Sequence, residues 1–89
     1  MIVENPNKVR LCRAGSCCLT VEKTQDSNFK FVDDYGSSIV LTKEELLNVQ
    51  FEKETDNTYS VSDKQGNKVV FNETEKSIFI KDALGFFDK

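Results

Sequence analysis

Apolar and polar residues alternate along this chain in short runs about ten residues apart, the spacing of antiparallel hairpins. The pattern predicts strands over 8–12, 18–23, 28–33, 38–41, 49–53, 58–63, 68–72 and 77–82. The first three strands carry their own register. Setting Val9 opposite Val21 and Leu11 opposite Leu19 also sets Lys8 opposite Glu22. Continuing with Val21 opposite Phe31 sets Glu22 opposite Lys30. Cross-strand charge pairs of this kind contribute roughly 0.2–1 kcal/mol each, and a slip of one residue would turn every apolar side chain outward. Val9, Leu11, Leu19, Val21 and Phe31 are therefore expected on one buried face, with Lys8, Glu22 and Lys30 on the other. Further along, Tyr59 is set opposite Phe71 and Val61 opposite Val69. The loop Lys64-Gln65-Gly66 between them fits a type I turn closed by a glycine in the left-handed region.

One segment breaks the alternation. Thr42-Lys43-Glu44-Glu45 is a capping box, in which Thr42 accepts from the backbone while Glu45 reaches back to it. Leu46, Leu47 and Val49 follow as a short apolar face. These residues predict one short helix near 43–49, which must dock on the core because it is too short to stand alone. The expected fold is mainly β: a small antiparallel meander of seven or eight short strands, barrel-like or two-layered. A flat sheet of this size would leave one face unburied.

At 89 residues the chain reads as a single small domain over 1–89, with room for one core. The sequence can also be read as an internal repeat with a period near thirty, the alternative being chance similarity within a regular hairpin array. Glu22-Lys23 aligns with Glu52-Lys53, Asp33 with Asp63, Gly36 with Gly66, Val40 with Val70 and Glu45 with Glu75. Turns favour Asp and Gly, and strands favour Val and Phe, so a hairpin array with ten-residue spacing produces such coincidences without a duplication.

Composition narrows the function. Twelve Lys and Arg against fifteen Asp and Glu leave a net charge of −3, and there is no His and no Trp. Without His, the Ser-His-Asp and Cys-His catalytic arrangements are excluded. An acidic chain is a poor general nucleic-acid binder, because phosphates must be neutralised by Lys and Arg. No apolar run approaches the roughly 18 residues of a membrane span. The start lacks the basic and apolar regions of a signal peptide, which gives a cytoplasmic expectation with reduced thiols.

All three cysteines lie in Cys12-Arg13-Ala14-Gly15-Ser16-Cys17-Cys18, and both arginines, Arg10 and Arg13, flank Cys12. In the register above Cys12 and Cys18 face each other across the first hairpin. Neighbouring guanidinium groups favour thiolates, the reactive form of cysteine. A structural zinc would need a fourth ligand beyond Cys12, Cys17 and Cys18, and the arginines oppose a cation. The small residues Gly15 and Ser16 would let a partner approach the backbone, so Arg10, Arg13, Gly15 and Ser16 are the candidate binding residues. Asp33-Asp34 before Gly36 lacks the ligand spacing of a calcium loop and reads as a turn. Phe86 and Phe87, near the end, are expected to fold back and close the core.

These readings converge on a small non-enzymatic binding or accessory protein acting by protein–protein contact. It has no expected cofactor and no membrane or general nucleic-acid partner, and its partner is another protein or a second copy of the chain. The alternative is a thiol-based redox or metal-binding module built on Cys12, Cys17 and Cys18.

Overall fold

Eight strands form, seven of them at or near the runs expected from the sequence, in a computed structural model that describes residues 2–11, 19–33 and 35–87. Strands β1 (Ile2–Asn5), β2 (Lys8–Arg10), β3 (Thr20–Lys23), β4 (Phe29–Val32) and β5 (Ser38–Leu41) make a five-stranded antiparallel sheet in chain order. Helix α1 (Lys43–Leu47) leads to a second sheet of β6 (Glu52–Thr55), β7 (Thr58–Ser62) and β8 (Lys68–Asn72). The chain then forms α2 (Glu73–Ile78), a π-helical stretch (Phe79–Ala83) and α3 (Leu84–Phe87) without interruption.

The register of the first sheet follows the charge ladder. Lys8 pairs with Glu22 and Glu22 with Lys30, while Val9, Val21 and Phe31 stand in line behind them. Val9, Leu11, Leu19, Val21 and Phe31 are all buried. In the second sheet Tyr59 pairs with Phe71 and Val61 with Val69, and Gly66 has φ 88°.

Two expectations were incomplete. Strand β1 was not foreseen, because Ile2-Val3-Glu4-Asn5 is too short to show a period. The strand expected at 77–82 is helical instead. Ser77-Ile78-Phe79-Ile80 is rich in strand-favouring residues, but Asn72 and Glu75 form a second capping box. Phe79, Ala83 and Phe87 recur every four residues and are buried as one helical stripe.

Both sheets and the terminal helical segment contribute to one hydrophobic cluster. At its centre Phe31, Phe51, Phe71 and Phe79 meet at centroid distances of 5.1–6.1 Å, mostly edge to face, the geometry that aromatic quadrupoles favour. Phe87 is buried against Phe29 at 5.0 Å, so the end of the chain does close the core. Lys76 lies over the Tyr59 ring at 3.9 Å and near Phe51 at 5.5 Å. Among the described residues no helix is long and apolar enough to cross a membrane.

Two buried carboxylates stitch the sheets together. Asp33 Oδ1 accepts from the amides of Tyr35 and Ser37, which makes its own turn, while Oδ2 accepts from the Val70 amide at 3.0 Å. Glu75 Oε1 caps α2 by accepting from the Asn72 amide, and Oε2 accepts from the Leu19 amide at 2.7 Å. Each carboxylate thus completes a local motif with one oxygen and crosses to the other half of the molecule with the second.

Candidate functional site

Of the binding and thiol candidates read from the sequence, Arg10 is described and the others are not. Cys12, Arg13, Gly15, Ser16, Cys17 and Cys18 lie outside the described residues, and so does Asp34. On β2, Arg10 places Nε and Nη2 each 2.7 Å from Glu4 Oε1 on β1. Its guanidinium is thus engaged with a carboxylate on a strand the sequence did not reveal. Asp33 is a structural turn residue, as its context suggested. Among the described residues no group of three or more His, Cys, Asp or Glu side chains is placed to hold a metal ion.

The structure offers a different candidate, built from α1 outward. Thr42 Oγ1 accepts from the Glu45 amide at 3.2 Å, and Glu45 Oε1 accepts from the Thr42 amide at 3.0 Å. This box starts α1 directly at the end of β5, and Leu46 anchors the helix in the core. The helix stops after Leu47, five residues long. A cleft of about 650 Å³ remains between α1, the connection to β6 and the end of β7. Its walls carry Glu44, Glu45, Glu52, Val61, Ser62 and Lys64.

A second hollow of about 340 Å³ continues from it, sharing Thr42, Glu45 and Lys64. This hollow runs between Ser38-Ile39-Val40 of β5 and the turn Asp63–Asn67. The hydrogen bond from the Thr42 backbone holds the Glu45 carboxyl below its ordinary value, and the Lys64 charge across the cleft adds to that effect. Glu45 is therefore an anion at neutral pH. The cleft combines exposed carboxylates, one ammonium group and apolar walls, a surface suited to holding a polypeptide. Its walls join the stretch 41–52, which holds the capping box legible in the sequence, to Val61, Ser62 and Lys64; that second wall is brought in only because the sheets share a core.

The sequence matches no known protein family, and neither a curated protein nor a solved structure shows significant similarity to the chain.

Proposed function

We infer that this chain is a small non-enzymatic binding protein that acts through protein–protein contact, with the cleft beside α1 as its contact surface. The carrying observation is the cleft itself: 650 Å³ of open space whose walls combine apolar side chains with Glu44, Glu45 and Glu52. Polypeptides are recognised by such a mixture, in which burial of apolar groups supplies affinity and charge supplies orientation and specificity. The absence of His from the sequence supports the same reading against hydrolytic enzymes of the Ser-His-Asp and Cys-His kinds. A cytoplasmic setting belongs to this proposal.

The test compares partners captured by the wild-type chain with those captured by Glu44→Lys/Glu52→Lys. Both side chains are exposed, so the variant is expected to fold. Partners lost from the variant, with capture unchanged by reductant, would support the reading. Identical partner sets for the two chains would overturn it, and partners released by reductant alone would favour the thiol alternative.

A further inference from the structure

We propose that the outward edge of β5 is a docking site for an extended, basic segment of a partner polypeptide, which pairs its backbone with Val40. The proposal rests on the binding reading above and names the chemistry of the partner.

The backbone sets the first part of the argument. The Asp33 amide donates to the Ser37 carbonyl at 3.0 Å, so Asp33 and Ser37 are a hydrogen-bonded pair. Bonded and non-bonded pairs alternate along an antiparallel ladder. Lys30 and Val40 therefore form a non-bonded pair, and the Val40 amide and carbonyl point away from β4. Among the described residues no strand hydrogen-bonds to β5 on this side; β8 comes close to β5, and beside Val40 the hollow lies between β5 and the turn 63–67.

The same molecule shows how such an edge is satisfied. Thirty residues on, the Asp63 amide donates to the Asn67 carbonyl at 2.9 Å, and the alternation turns the Val70 amide outward from β7. There Asp33 Oδ2 takes it. The matching carboxylate for Val40 is that of Asp63, which repeats the Asp33 turn: its Oδ1 accepts from the amides of Gln65 and Asn67 at 2.9 Å. Its Oδ2, however, accepts from the Asn67 side-chain amide at 3.3 Å. Ser37, the counterpart of Asn67, makes no such contact. The acceptor that closes the β8 edge is thus diverted at the β5 edge, and the hollow stands in its place.

The remaining edges carry protective features. Strands β1 and β6 each have an irregular register, between Val3 and Asn5 and between Lys53 and Thr55, and β6 is charged along its length. Bulges and charges are how sheets prevent unwanted pairing. Strand β5 has an unbroken register and the sequence Ser-Ile-Val-Leu, with Val40 47% exposed. An edge of this kind is what strand addition requires, with main-chain bonds supplying affinity. Charge selects the occupant. Glu45 and Asp63 line the hollow and Glu44 and Glu52 the adjoining cleft, against Lys64 alone, so Lys or Arg side chains on the incoming strand are favoured and Asp or Glu are opposed.

The experiment titrates the peptide Lys-Val-Lys-Val-Lys-Val-Lys into the isotope-labelled chain, with amide chemical shifts as the readout. The expected result is perturbation centred on Ser38–Leu41 and slowed exchange of the Val40 amide. The Glu-for-Lys peptide and a backbone N-methylated copy should each bind about tenfold more weakly or less. Val40→Pro removes the outward amide without taking a bond from β4, and proline is tolerated at such edge positions; it should weaken binding to a similar degree. The N-methylated peptide tests the same bond should Val40→Pro fail to fold. Perturbations away from β5, equal binding of the acidic peptide, or unchanged binding of the N-methylated one would overturn the proposal. So would a dimer of the chain that Val40→Pro dissociates, since the occupant would then be a second copy. Partner capture that depends on Glu44 and Glu52 without peptide binding at β5 would reject the edge and leave the binding reading intact.

Discussion

At the scale of single residues, three turns of one design show what the backbone demands. Thr24–Asn28, Asp33–Ser37 and Asp63–Asn67 are closed by the same pair of backbone hydrogen bonds. The fourth residue has positive φ in each: 64° at Ser27, 85° at Gly36 and 88° at Gly66. A side chain costs energy in this region whether or not it has room. Nothing lies within 4 Å of where a Gly66 Cβ would sit, so the cost there is purely conformational. Gly66→Ala is expected to destabilise the chain by about 1 kcal/mol or more. Ser27→Gly should have the opposite sign, a gain of about 0.5–1 kcal/mol. Urea denaturation midpoints that move the same way in both variants would contradict this account. Gly66 was legible in the sequence because a three-residue loop ending in glycine is a strong signal, whereas Ser27 carries no sign of the same conformation.

At the scale of elements, two capping boxes start the helices, one at Thr42 and Glu45 and the other at Asn72 and Glu75. The first was read from the sequence; the second has the same spacing and was masked by the strand-like Ser77–Ile80. Glu45 also gives a pH dependence. Its folded-state carboxyl lies below the ordinary value of 4.5, so the unfolded chain binds more protons in that range and stability rises with pH through it. The contribution is fully present above the unfolded value and lost as pH falls through the folded one. Glu45→Gln keeps an acceptor for the Thr42 amide but no charge. Wild type should therefore be the more stable at neutral pH, with the difference shrinking on acidification below about 4.5. A gap that stays constant down to acid pH would assign the effect to shape rather than charge.

At the scale of the molecule, the joining of the two sheets was the least legible feature. Asp33 was correctly seen as a turn former, but no sequence pattern announces that its second oxygen reaches Val70, 37 positions away. The α1 cleft was hidden for the same reason, since its walls come from separate elements. In Asp33→Asn the side-chain amide would either face the Val70 N–H or displace the turn, leaving a buried donor without an acceptor. The expected loss is about 2 kcal/mol, read from chemical denaturation. A variant as stable as wild type would mean that the Asp33 link to Val70 contributes nothing to holding the sheets together.

The stacking of Lys76 on Tyr59 has a spectroscopic consequence. The chain has two tyrosines and no tryptophan, and Tyr35 is already 76% exposed. The tyrosine signal that changes on unfolding therefore comes chiefly from Tyr59, beneath an ammonium group. The tyrosine bands of the dichroism spectrum and the tyrosine emission would follow the junction of the second sheet with α2, while the first sheet is read from the phenylalanine bands of Phe29 and Phe31. The ring current of Tyr59 should also move the Lys76 ε-methylene protons upfield, a resonance that reports on this junction one atom group at a time.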